Sequence, residues 1–118
     1  ETDKMGVAYY ANYFVWFEVG RCELLRSLGG TYRQMEHAGV LLPVVEAHCN
    51  FRLPARYDDD LEISTTGSLP SRARIEFCYE VRRQTDRRLL ATGHTIHAAT
   101  NADGRPRRLP AALEKILT

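Results

Sequence analysis

Lysine is nearly absent from this sequence. Of sixteen cationic side chains only Lys4 and Lys115 are lysines, the other fourteen are arginines, and fifteen acids bring the net charge to +1. So even a balance excludes the lopsided basic surface of a dedicated nucleic-acid binder, and no nucleic-acid partner is expected. Arginine's planar fork suits bidentate phosphate or carboxylate contacts. A GC-rich or heat-adapted genome decorating a solvated surface accounts for the skew equally well. Long hydrophobic runs are missing too. The apolar cluster Val40-Leu41-Leu42-Pro43-Val44-Val45 is far short of the roughly 20 residues that span a bilayer, so no transmembrane segment is expected, and nothing reads as a signal peptide. Cysteine is scarce and unpatterned: Cys22, Cys49 and Cys78 form no C-x-x-C. That excludes a zinc ribbon and a disulfide framework, and points to a reducing compartment, the cytoplasm. Each cysteine reads as a small buried apolar residue.

Several chemistries have no foothold. There is no G-x-x-x-x-G-K-[ST], no G-x-G-x-x-G and no H-E-x-x-H, which removes the phosphate-loop, dinucleotide and zinc-protease readings. No G-x-S-x-G elbow offers a serine nucleophile. The four histidines, 37, 48, 94 and 97, form neither an i,i+2 strand pair nor an i,i+4 helix pair, so no metal site is expected. His48 and Cys49, adjacent on a strand, point to opposite faces and cannot act as a nucleophile-base pair.

What is present is a chain of 118 residues, 44% hydrophobic and 26% charged, the size of one domain. From Tyr9 or Tyr10 to Leu28 apolar residues fall at 13, 14, 16, 17, 24, 25 and 28, a helical spacing whose wide arc implies burial by something that wraps it. Gly29-Gly30 stops the helix, and Gly20 within it suggests a close backbone approach. Thr31 to His37 reads as a short second helix, with Thr31 as cap and Gly39 as stop. The period then changes to two. Val45, Ala47, Cys49, Phe51 and Leu53 share one side of a strand that Pro54 ends, with Glu46, His48, Asn50 and Arg52 on the other side. Leu61, Ile63 and Thr65 begin a second strand that Gly67 to Ser71 break. Ile75, Phe77, Tyr79 and Val81 mark a third, and Leu89 to Thr100 a fourth. Asn101-Ala102-Asp103-Gly104 is a tight turn, and Pro110 opens a short terminal helix. One long helix followed by four antiparallel strands is α+β: a curved sheet wrapping a central helix.

Asp3 and Gly6 stand just ahead of the long helix. A helix start presents orphan N–H groups and partial positive charge, which can hold a polarised carbonyl oxygen. A carboxylate facing that carbonyl attacks it or activates a water. An amide or alkyl ester also needs a proton for its leaving group. A thiol, with a pKa near ~8.5, leaves readily as the anion, so a thioester suits one unaided carboxylate. An acid ahead of a helix also serves simply as a cap, and spacing alone does not choose between the two.

The segment Asp3-x-x-Gly6-Val7-x-Tyr9-Tyr10-x-Asn12-Tyr13, followed by Trp16-Phe17-Glu18, resembles the opening motif of the hotdog-fold acyl-CoA thioesterases, in the 4-hydroxybenzoyl-CoA thioesterase family and its Tol-Pal-associated relatives. "LPVVEAHCNFRLPARYDDDLEI" and Ser71-Arg72-Ala73-Arg74 resemble that family's central strand, with its Tyr-Asp-Asp turn, and its third-strand lead-in. The resemblance implies a single hotdog domain over 1–118, with the family's first strand lying before Glu1. It implies Asp3 as nucleophile or general base, and the Tyr10 N–H as the group that polarises the thioester carbonyl. Tol-Pal-type members usually carry His where this chain has Tyr10, and the 4-hydroxybenzoyl type carries Tyr. Gly6, Tyr13, Glu18 and Arg72 become substrate contacts, Glu18 toward the acyl group and Arg72 toward the nucleotide phosphates of coenzyme A. No cofactor is implied, coenzyme A being part of the acyl-CoA substrate. A homodimer with active sites at its seam is implied, and a tetramer stacked through the outer sheet faces is the further arrangement the family offers. Glu46 with His48 is the runner-up acid-base pair, while His94 and His97 read as satisfied strand residues. Two alternatives remain: a non-catalytic acyl-CoA-binding or scaffold protein of this fold, and a hotdog hydratase. The hydratase is disfavoured because no histidine precedes His37.

Overall fold

The computed structural model describes residues 11–27, 35, 37–56 and 58–110. Helix α1 covers Ala11–Ser27. Its buried positions Tyr13, Phe17 and Gly20 step by four and three, and Leu25 lies eight residues beyond Phe17, so all four share one face. Arg26 lies in the last turn, where a cation complements the helix dipole. The side of Gly20 rests directly on the sheet: a Cβ there would sit 2.5 Å from Thr65 Oγ1. The close approach expected at this glycine is therefore present.

The strands are β1 Val44–Phe51, β2 Leu61–Ser71, β3 Arg74–Arg83 and β4 Leu89–Ala98. They form an antiparallel sheet in the order β1-β4-β3-β2, so β1 and β2 are its outer strands among the described residues. Ile75, Phe77, Tyr79 and Val81 of β3 are buried under α1, with Ala91, Thr95 and His97 of β4 beside them. The intervening residues, among them Glu46, His48, Glu76, Cys78 and His94, lie on the outer face by the strand alternation. The connecting turns carry ordinary local chemistry. Asp59 Oδ2 accepts the Arg56 N–H at 2.7 Å. Asn101 Oδ1 accepts from the backbone of Asp103 and Arg105 at 2.9 and 3.0 Å, and Gly104 takes a φ of +81°.

Four expectations change. β2 is not broken at Gly67; it runs on, pairing Gly67 with Phe77, to Ser71. Pro70 falls in the register shift between Ser68 and Ser71, in a strand with no second partner among the described residues. The wide apolar arc of α1 is only partly covered, because the sheet lies on one side of it. Phe14, Val15 and Val19 stay 40%, 50% and 49% exposed. Cys78 is exposed on the outer face rather than buried. The last strand stops at Ala98, and Thr100 contributes only isolated bridges to Leu41 and Pro106.

The helix expected over Thr31–His37 lies largely outside the described residues. Met35 and His37 are helical, and Gly39 at φ +77° closes the turn, with the Val40 N–H donating to the Met35 carbonyl at 2.8 Å. The terminal helix after Pro110, the position Tyr57 and the stops Gly29 and Gly30 are also outside them.

Candidate active site

Asp3, Gly6 and Tyr10 lie outside the described residues, so the site is approached from the helix they precede. The first described turn of α1 reaches the end of β1, an outer strand among the described residues. Tyr13, 2% exposed, meets Phe51 of β1 edge-on at 4.9 Å and Trp16 at 4.7 Å. One turn on, the Phe17 ring stacks on Tyr79 at 4.3 Å and 6°. Its other neighbour is the bare backbone of β4, since a Cβ at Gly93 would meet Phe17 Cε2 at 2.5 Å. Beyond Gly20 the helix lies over Thr65 and Ile63 of β2. Thus α1 crosses the sheet diagonally, its start at the open edge β1 and its later turns over β2. Glu18 is exposed on the same uncovered side as Phe14, Val15 and Val19, one helical turn from each of the first two.

Arg72 is elsewhere. It is exposed in the β2–β3 turn, beyond the Arg74↔Ala98 pair, whereas Phe51 pairs with Ala91 at the other end of β4. From Ala91 to Ala98 the strand advances roughly 24 Å at ~3.4 Å per residue. Within one chain, then, Arg72 and the start of α1 are not together. Arg72 has company that sequence reading missed. The Leu109 N–H donates to the Arg72 carbonyl at 3.0 Å, and the Arg107 N–H donates to the Ala99 carbonyl at 2.8 Å. These bonds lay the segment Arg105-Pro106-Arg107-Arg108 against the turn. The Arg107 guanidinium donates to the Gly39 and Ala38 carbonyls, and the exposed Arg72, Arg74, Arg105 and Arg108 belong to the turn and the segment laid against it, a basic corner. The R-P-R-R run was the available signal.

The sequence profile of the thioesterase-like superfamily matches residues 1–117. The chain belongs to that superfamily. Its helix packed on a curved four-stranded antiparallel sheet is the hotdog fold. Over 65 residues it is 46% identical to YneP of Bacillus subtilis, a candidate acyl-CoA thioesterase; the match covers 55% of this chain and 47% of YneP. The chain thus spans about half the length of that relative. Among solved structures, the hypothetical protein TT1821 of Thermus thermophilus superposes with a TM-score of 0.89 at 36% identity, covering 99% of this chain and 88% of that one. The DHNA-CoA thioesterase of Staphylococcus aureus superposes with a TM-score of 0.88 at 33% identity, covering 98% and 83%.

Inside this hotdog sheet the histidines are distributed differently from the runner-up expectation. Glu46 does not pair with His48. Its Oε2 lies 2.6 Å from Nε2 of His94, and the His48 ring stacks on His94 at 5.5 Å. Glu46 and His48 are successive outward residues of β1, about 7 Å apart along it, while His94 is the direct cross-strand partner of His48. All three lie on the outer face of the sheet, opposite the face on which α1 packs. His97 is on the inner face, 1% exposed. Burial lowers its pKa, against the Leu42 carbonyl bond, which raises it. Burial likewise pushes Cys49 up to about 11, which keeps this thiol protonated and unreactive. Among the described residues no three His, Cys, Asp or Glu side chains are placed to hold a metal ion.

Proposed function

We propose that the chain hydrolyses an acyl-CoA thioester, with water, to a carboxylic acid and coenzyme A. Asp3 is the carboxylate, acting as nucleophile or as the base that activates the water. The Tyr10 N–H at the helix start stabilises the oxyanion, a contribution of about 2.7–4 kcal/mol per donor. The names of the relatives support an acyl-CoA substrate. The chemistry needs no cofactor, and the free thiols fit the cytoplasm.

The observation that supports the reading is the reach of α1, through Tyr13 and Phe51, to the end of a strand with no second partner among the described residues. Two β1 strands pairing antiparallel about a twofold axis reverse direction, so the Val44 end of one meets the Phe51 end of the other. The arginine corner of one protomer then lies toward the α1 start of its partner. A long substrate extends between them, its phosphates at Arg72 and its carbonyl at Asp3 and Tyr10, with Gly6 letting the backbone approach. Tyr13 backs the acyl pocket and Glu18 lines it from the open face of α1. The dimer is the functional unit, and outer faces stacking would make a tetramer. A hydratase reading loses support, because the described inner-face histidine, His97, is buried in β4 and the Glu46–His94 pair faces outward.

The test is thiol release from a panel of aliphatic and aromatic acyl-CoAs. Asp3→Asn should lower turnover at least ~100-fold, the scale of a lost general base, while coenzyme A binding persists. Full turnover in Asp3→Asn removes the assignment. Coenzyme A binding with no thiol released from any acyl-CoA leaves a binding protein instead.

A further inference from the structure

The layer between α1 and the sheet should be apolar, yet it contains a chain of polar side chains. Tyr79 and Thr95 are 2% exposed and His97 is 1% exposed. Tyr79 Oη lies 2.6 Å from Thr95 Oγ1, and Thr95 Oγ1 lies 3.0 Å from His97 Nε2. His97 Nδ1 lies 3.0 Å from the Leu42 carbonyl. At the other end Arg21 Nη1 of α1 reaches Tyr79 Oη at 3.5 Å.

The carbonyl fixes every proton. A carbonyl only accepts, so His97 Nδ1 carries the hydrogen, and Nε2 of the neutral ring is then an acceptor. The Thr95 hydroxyl must donate to Nε2, so it accepts from Tyr79. The Tyr79 hydroxyl therefore donates to Thr95 and accepts from Arg21. Each group uses its donor once and in one direction, and reversing any link leaves a buried polar atom unpaired. Three elements are joined by this line: α1 at Arg21, the centre of the sheet, and the segment that leads into β1 at Leu42. Apolar residues of the same size would fill this layer with no such directional requirement.

We propose that Arg21, Tyr79, Thr95 and His97 form a positioning relay that ties α1 to the lead-in of edge strand β1, holding the helix start in register for thioester hydrolysis. The proposal rests on the reaction reading above. None of the four touches the reacting atoms. They act by fixing where α1 lies, beside the Phe17 ring, which stacks on Tyr79 and rests its edge on the neighbouring Gly93. A displaced helix start loses transition-state stabilisation more than ground-state binding, because the oxyanion contact forms fully only as the carbonyl is attacked.

The experiment compares two cuts and one conservative change. Tyr79→Phe keeps the ring on Phe17 and removes the hydroxyl. Thr95→Val keeps the shape and breaks the same line, while Thr95→Ser keeps the hydroxyl. On an acyl-CoA that wild type hydrolyses, each cut should lower kcat about ten-fold with KM changed less than about two-fold, Thr95→Ser should stay near wild type, and the double cut should be no worse than one alone. Amide hydrogen exchange in residues 11–27 should quicken in both cuts and not in Thr95→Ser. Unchanged kcat in the cuts, or additive losses in the double variant, overturns the relay even where the melting temperature falls. If wild type releases no thiol from any acyl-CoA, the reaction reading has failed by itself. The exchange experiment then decides the relay: selective quickening in the cuts supports the tie, and unaltered exchange removes it. Should one cut fail to fold, the other carries the same outcomes.

Discussion

At Gly93 the absent side chain is a packing requirement. An added methyl would meet the Phe17 ring at 2.5 Å and the His48 carbonyl oxygen at 2.7 Å. The carbonyl belongs to a paired strand and cannot swing away. Gly93→Ala should therefore destabilise the fold by roughly 3 kcal/mol, at the upper end of ordinary overpacking. Gly20→Ala meets Thr65 Oγ1 at a similar distance, with Ile63 Cγ2 at 3.2 Å, but these are side-chain atoms that a turn about χ1 can withdraw, and Ala gains up to ~1 kcal/mol of helix propensity over Gly. Its loss should be the smaller of the two, and urea denaturation of both variants gives the order. His97 makes a second prediction. Burial, joined by the positive charge of Arg21, keeps its pKa below the ordinary 6.5, while the Leu42 carbonyl opposes the shift. The unfolded chain binds the proton more readily, so this contribution to stability is complete above pH 6.5 and is lost as pH falls through and below it. The ring meets the Thr95 hydroxyl at Nε2, the Leu42 carbonyl at Nδ1 and the Phe77 ring edge-on, and the Arg21 cation acts on it from α1. The melting temperature should drop between pH 7 and pH 5, and less steeply in His97→Gln. Parallel profiles for the two proteins would refute the assignment.

Among the elements, β3 and α1 were legible because their periodicity is dictated by burial on one face. Ile75, Phe77, Tyr79 and Val81 are all buried, and Tyr13 and Phe17 are the ring anchors of α1. β2 was misread for the same physical reason. Gly67 and Pro70 break a central strand, but at an edge one side of the ladder is free, and only the strand order reveals which strand is the edge. The Glu46 partner was hidden likewise, since parity along β1 tells which residues share a face but not that His94 is the cross-strand neighbour. The arginine corner came from a carbonyl bond between Arg72 and Leu109, a long-range contact that no local pattern encodes. β1 alternates as read from Glu46 to Phe51, after a bulge between Val44 and Glu46, yet it stays poorly covered: Val45, in the bulge, is 49% and Phe51 is 41% exposed. A strand that alternates without burying is one waiting for a cover, and natural sheets rarely leave such an edge bare. Val45→Glu tests this. At a half-exposed position the charge costs the single chain little, so helix and sheet signals in circular dichroism should persist. Light scattering should nevertheless report monomers, and thiol release should fall with the dimer.

For the whole molecule, the separation of Arg72 from the start of α1 leads to a prediction about pairs of subunits. If each site combines Asp3 of one chain with Arg72 of its partner, a heterodimer of Asp3→Asn and Arg72→Glu chains concentrates both defects in one site. The other site receives neither. Mixing the two variants after reversible unfolding should restore about one quarter of wild-type activity at limiting acyl-CoA, because half the dimers are mixed and each has one intact site of two. The variants kept apart should stay deficient, Asp3→Asn in kcat and Arg72→Glu in KM. If instead both residues serve the same chain's site, each site of the heterodimer inherits one defect and mixing restores nothing. The roughly 24 Å that β4 advances between the two ends favours the first outcome. Within one chain, a substrate joining them must run most of the length of the sheet. Across an antiparallel β1 seam the two ends face each other.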